Sequence, residues 1–167
     1  MASADAIFAL IKYRAPDVKF GAVYYTYYAP MLEVKESANQ LSVKRSYWRD
    51  GTQLRDGQVL RVGDKVEVHY DIYNTENRSF VQMVASRPAC FYPADERSWG
   101  SNWFYCERKS DRTIFYFQTL AEENTSLKES FYVTQEGTFN TALVEIESLY
   151  APEYRGHTGA FLQETEE

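Results

Sequence analysis

Cysteine and histidine are scarce in this chain of 167 residues, which has two of each. Cys90 and Cys106 are too few for the disulfide framework that holds small secreted domains together. His69 and His157 lie far apart, and neither has a partner at metal-ligand spacing. A zinc site would need distant residues to converge, so both read as ordinary surface histidines and neither metal nor cofactor is expected. No Gly-x-Ser-x-Gly, Gly-x-Gly-x-x-Gly or Gly-Lys-Ser/Thr pattern occurs, so a nucleophile elbow, a dinucleotide fingerprint and a phosphate loop are missing. Nor is there a run of Lys or Arg: 18 basic against 24 acidic residues leave a net charge of −6. That excludes the electrostatic footprint of a nucleic-acid binder and disfavours an anionic membrane surface. No apolar run approaches the roughly 18 residues of a bilayer span, and no basic region precedes a hydrophobic block at the N-terminus. The opening Met-Ala-Ser fits an excised piece of a longer protein as well as a complete one.

What the chain does have is aromatic side chains: 14 Tyr, 10 Phe and 3 Trp. These suit a pleated surface better than a helix. Lys65 to Tyr73 alternates strictly, with Val66, Val68, Tyr70 and Ile72 on one side, and reads as a half-buried strand. Ser79 to Ala85 and Ile114 to Phe117 carry apolar residues on both faces, as central strands do. Leu41 to Trp48, Leu127 to Val133 and Ala142 to Leu149 read as further strands, and Phe20 to Tyr28 is β-branched and aromatic. The alternation changes phase around Thr141 to Leu143, where a bulge is expected. Asp50-Gly51, Asp56-Gly57, Gly63-Asp64, Glu76-Asn77 and Glu136-Gly137 are turn chemistry. Ser3 to Tyr13 suits either a helix or a strand, with strand preferred because Ala15-Pro16 follows. Glu33 to Gln40 and Pro93 to Asn102 read as loops, and the acidic end, Gln163 to Glu167, as a frayed tail. Short strands at this spacing, with no long helical period between them, indicate an all-β antiparallel sandwich of roughly seven to nine strands. A single domain of this length buries most of its chain without a covalent staple.

Few side chains invite chemistry. Glu145 and Glu147 lie two apart on one strand face and could form an acid pair, but a solvated face opposite Val144 and Ile146 explains them better. Cys90 sits between Ala89 and Phe91, where a free thiol behaves as a small core residue; two thiols are preferred to a Cys90–Cys106 bridge. Trp99, Trp103, Phe104 and Tyr105 surround Gly100-Ser-Asn. With Trp99 and Trp103 exposed they would make a sugar platform, as in a carbohydrate-binding module of a cell-envelope protein; buried, they would close one end of the core.

Two motifs remain, each a strand running into a proline-stopped turn: Arg87-Pro-Ala-Cys-Phe-Tyr-Pro and Leu149-Tyr-Ala-Pro-Glu-Tyr-Arg-Gly-His. Together with Leu60-Arg-Val-Gly-Asp-Lys-Val-Glu-Val, Arg112-Thr-Ile-Phe-Tyr-Phe and Glu136-Gly-Thr-Phe-Asn, in this order, they resemble the C-terminal macroglobulin-like (bacterial MG10-type) domain of bacterial alpha-2-macroglobulins, especially those of Bacteroidetes. The resemblance covers residues 20–162, leaving 1–19 as a segment from a preceding linker or domain and 163–167 as the acidic tail. It implies a non-enzymatic domain of a protease-trapping inhibitor of the cell envelope, periplasmic or surface-anchored through its parent. The implied partners are other domains of the same protein, thioester-type or macroglobulin-like, and target proteases only indirectly. In many members a Cys-x-Glu-Gln thioester bonds the attacking protease, and neither Cys90 nor Cys106 has that context. The resemblance also implies that Leu149 and Tyr150, with Tyr154 nearby, form an interdomain contact, since the corresponding Met-Tyr pair of relatives faces the thioester domain. The chain departs from that pattern in carrying Leu149 for Met. The alternative is that these residues are core.

Overall fold

Strict alternation in Lys65–Asn74 places Val66, Val68, Tyr70 and Ile72 at 2% exposure or less, and the polar residues between them face outward. The same period-2 logic builds most of the molecule. The computed structural model describes residues 29–95, 97–101 and 103–167, without the Trp99 side chain. After a 3-10 turn at Met31–Glu33 come β1 (Ser37–Ala38), β2 (Leu41–Arg49), β3 (Thr52–Gln53), β4 (Leu60–Arg61), β5 (Lys65–Asn74), β6 (Arg78–Ser86), β7 (Phe91–Pro93) and β8 (Trp99–Gly100). They continue as β9 (Phe104–Arg108), β10 (Arg112–Leu120), β11 (Thr125–Val133), β12 (Gly137–Asn140), β13 (Val144–Ser148), β14 (Arg155–His157) and β15 (Leu162–Glu166). Eight of these have five or more residues, within the expected range; the rest are two- to four-residue pairings. Ser3 to Tyr13 and Phe20 to Tyr28 lie outside the described residues.

Two sheets face each other. One runs β1-β14-β13-β6-β10-β9-β8 and the other β3-β2-β5-β11-β7. Their inner faces supply one core, in which Val81, Met83, Phe115, Phe117, Val144 and Ile146 meet Val43, Val66, Tyr70, Ile72, Leu127 and Phe131. The Tyr70 and Phe115 rings touch edge-on across it, 6.0 Å apart. A small third sheet, β12-β15-β4, closes one side. Its β15–β4 pairing is parallel; the other ladders are antiparallel. Asp50 and Gly51 both have positive φ, 49° and 76°, as a two-residue hairpin from β2 to β3 requires.

The structure corrects four expectations. The acidic end does not fray: it forms β15, with Gln163 and Thr165 buried and the Thr165 hydroxyl donating to the Gln135 carbonyl at 2.7 Å. The phase change at Thr141 to Leu143 is a crossover, not a bulge, because the chain leaves the third sheet after Asn140 and joins the large one at Val144, turning through Ala142 at φ 56°. Arg45, on the inward phase of β2, makes this crossover affordable by donating to the carbonyls of Thr141 and Ala142 at 3.0 and 3.1 Å. The loops read at Glu33 to Gln40 and Pro93 to Asn102 contain the short strands β1 and β8. Finally, β6 and β10 are central strands with mainly one buried face: Val81 and Met83 point inward while Phe80 is 46% exposed.

Candidate functional site

The strand β13 ends at Ser148 because Pro152, four residues on, cannot donate to a ladder and the intervening chain turns outward. The turn is pinned internally. Ser148 N–H donates to Tyr154 O at 3.0 Å, and Tyr154 N–H to Ala151 O at 2.9 Å. Leu149 N–H donates to Phe80 O at 2.9 Å. Leu149 is 47% exposed and Tyr150 79%, so both lie at a strand end and outside the core.

Phe80 was not singled out by its sequence and belongs to this surface. Its φ of 56° is strained for a bulky side chain and breaks the strand phase, turning the ring outward. The Tyr150 ring meets it edge-on, 5.1 Å away at 90°. Beyond them, Phe80, Leu149, Trp103, Tyr105 and Tyr116 line an open groove of about 340 Å³ to which, among the described residues, Ser101 and Gln118 add polar side chains. Trp103 is 40% exposed, with one side packed on Phe104 and stacked over Phe117. Trp99 lies in β8, and its side chain is outside the described residues. The two surfaces read separately in the sequence are therefore joined at Trp103. An exposed, largely apolar patch of this kind marks a candidate interaction surface.

Tyr154 faces the other way. The Arg78 guanidinium lies 3.8 Å from its ring centroid. Arg78 is only 6% exposed; its Nε donates to Asn74 Oδ1 at 3.0 Å, its Nη2 to Gln40 Oε1 at 3.1 Å, and it pairs with Glu76 at 2.8 Å. Asn39 Nδ2 donates to Glu153 O at 2.7 Å. Tyr154 thus anchors the turn that presents Leu149 and Tyr150.

Of the remaining candidates, Glu145, Glu147 and His157 line one groove with Arg155, and His69 lies on the other sheet. Glu145 and Glu147 project outward from β13, opposite buried Val144 and Ile146, and pair across the strand with His157 and Arg155. His69 stacks on Trp48 at 4.9 Å and its Nε2 lies 3.2 Å from Glu67. Among the described residues no group of three or more His, Cys, Asp or Glu gathers as a metal site would need, and no helix is long and apolar enough to cross a membrane. Cys90 and Cys106 are both buried, and burial pushes the Cys90 thiol up to about 11.

A second polar centre lies inside the sandwich. Glu129 of β11, its side chain fully buried, accepts from Thr113 Oγ1 at 2.8 Å and Tyr70 OH at 3.1 Å and pairs with Arg108 at 3.2 Å. Burial holds its pKa above the usual carboxylate range, against the opposing pull of Thr113, Arg108 and Tyr70. The readable signal was phase: Glu129 falls on the inward register of Leu127, Phe131 and Val133.

Two main antiparallel sheets packed on one core define a β-sandwich domain. The chain belongs to the bacterial alpha-2-macroglobulin MG10 domain family, whose model matches residues 41–153. Its fold is similar to that of Escherichia coli alpha-2-macroglobulin activated by porcine elastase (20% identity, TM-score 0.73, covering 86% of this chain and 14% of that one). It is similar also to Salmonella alpha-2-macroglobulin reacted with methylamine (22%, TM-score 0.71, 86% and 10%). A third similar structure is native E. coli alpha-2-macroglobulin from domain MG7 to the C-terminus (21%, TM-score 0.70, 86% and 25%). The chain spans between a tenth and a quarter of the length of these structures. No curated protein matches it.

Proposed function

We propose that this chain is a non-enzymatic scaffold and interdomain contact domain, C-terminal in a bacterial alpha-2-macroglobulin-like protease-trapping protein of the cell envelope. Its partners are the other domains of the same parent, and it acts on target proteases only through them. The observation that carries this reading is the exposed Leu149–Tyr150 pair, held out by a pinned turn beside a strained, outward Phe80. An exposed aromatic at a rigid strand end loses little conformational entropy on docking, which suits it to be the centre of a contact.

Tyr150→Ala, made in the isolated chain and in a full-length parent, tests it. The isolated chain is expected to lose less than ~0.5 kcal/mol, as at other exposed sites. The parent is expected to rearrange, or to be inactivated by small amines, more readily. A loss of ~3 kcal/mol or more in the isolated chain would show that Tyr150 is a core residue and end the contact reading.

A further inference from the structure

The Arg87-Pro-Ala-Cys-Phe-Tyr-Pro motif takes no part in the Leu149 surface. Arg87 follows the far end of β6, roughly 20 Å along the strand from Phe80 at about 3.3 Å per residue. There Arg87, Tyr92, Arg108, Lys109, Ser110 and Gln135 line a groove of about 420 Å³.

Two guanidinium groups meet at this groove, and among the described residues one carboxylate, Glu129, is ion-paired with them. The Arg108 side chain is 7% exposed. Its Nη2 holds Glu129, while Nε and Nη1, both buried, have no hydrogen-bond partner among the described residues. Arg87 donates from Nη1 to Thr113 Oγ1 at 3.2 Å and from Nη2 to the carbonyls of Lys109 and Ser110, leaving its Nε buried and likewise unpartnered among the described residues. Glu129 is already engaged by three donors, Thr113 and Arg108 on one oxygen and Tyr70 on the other, and its contact with Arg108 is through Nη2. Of the charges nearby, Lys109 is paired with Glu107, Asp111 with Arg112 and Asp95 with Arg97. Buried guanidinium donors are rarely left without acceptors, because each forfeits its hydration for nothing. The group best matched to them is a delocalised oxyanion.

We propose that the Arg87–Arg108 groove binds a small oxyanion, a carboxylate or a phosphate group, with Arg108 as its principal ligand and Arg87 beside it. The carboxylate could be an acidic side chain of a neighbouring domain and the phosphate a free anion, and the two sources are separable. Nitrogen-15 spectra of the arginine Nε–H groups of the intact chain, titrated with inorganic phosphate and separately with acetate at constant ionic strength, read the site directly. The Arg108 and Arg87 resonances are expected to shift saturably with one common Kd, while exposed Arg61 and Arg97 follow the chloride control. Tighter binding of phosphate would point to a free anion, and equal or tighter binding of acetate to a carboxylate side chain. Arg108→Met should weaken binding at least tenfold. If that variant does not fold, Arg87→Gln should weaken it severalfold, and the titration of the unaltered chain stands by itself. Shifts no larger than with chloride, for both anions, would overturn the proposal without touching the Leu149–Tyr150 contact.

Discussion

Replacing Arg78 by Met should loosen the turn that presents Leu149 and Tyr150, because one buried guanidinium ties that turn to the β5–β6 hairpin. Met keeps most of the aliphatic stem, so the loss isolates the charged head. Two contributions dominate. Asn74 Oδ1 loses its donor while its amide stays committed to the carbonyls of Leu120 and Ala121, at 3.1 and 3.0 Å, so a buried acceptor goes unsatisfied at a cost of ~1–3 kcal/mol. The cation–π contact with Tyr154, formed at 3.8 Å with the guanidinium out of water, contributes a further ~1–2 kcal/mol. The exposed end of the Glu76 pair adds little. Allowing for overlap, the expected loss is ~2–4 kcal/mol, or some ~4–16 °C in Tm at ~2–4 °C per kcal/mol for a domain of this size. Urea unfolding followed by tyrosine fluorescence measures it. Native-state hydrogen exchange adds a local readout: the Leu149 and Tyr154 amides should lose protection before Ile146 and Met83 do. A loss below ~1 kcal/mol, with unaltered exchange at Leu149 and Tyr154, would refute the claim that Arg78 positions this turn.

Two further predictions follow from tight places in the fold. Gly156→Ala should cost ~1–3 kcal/mol, since overpacking forces backbone to shift. An added Cβ there would stand 2.5 Å from the Leu41 carbonyl and 3.0 Å from both Ser37 O and Ser42 Cα; chemical denaturation measures the loss, and a neutral result would show that β14 can move away from β2. In the folded chain at mild alkaline pH, Cys90 and Cys106 should resist a thiol reagent, because both are buried and Cys90 is held protonated up to about 11. After unfolding without reductant both should react, giving two thiols per chain, whereas none would mean a bridge.

Local pattern and tertiary structure divide the account of this protein between them. Strand periodicity is local, so the inward residues of β5, the Asp50-Gly51 hairpin and the outward turn after Leu149 were all legible in the sequence. Each depends on neighbours a few residues away. The crossover at Thr141 to Leu143 was legible only as a broken phase, since a bulge and a change of sheet disturb alternation in the same way. What lies far apart in the chain was not legible. Phe80 reads as one more strand aromatic, and only its left-handed backbone, together with the arrival of residue 149 beside it, turns it into part of a surface. Pairing of β15 with β12 and β4 converts an acidic tail into a strand, because ladder hydrogen bonds and the burial of Gln163 and Thr165 outweigh the composition that favours fraying. Arg78 under Tyr154 is a convergence within the large sheet and its β13–β14 turn, and Arg87 and Arg108 around Glu129 one across sheets. No spacing encodes them, because side chains meet there through the pairing of strands and the stacking of layers and not through sequence distance; the sequence marks only that a charge stands in an apolar phase, and the packed structure decides what that charge faces.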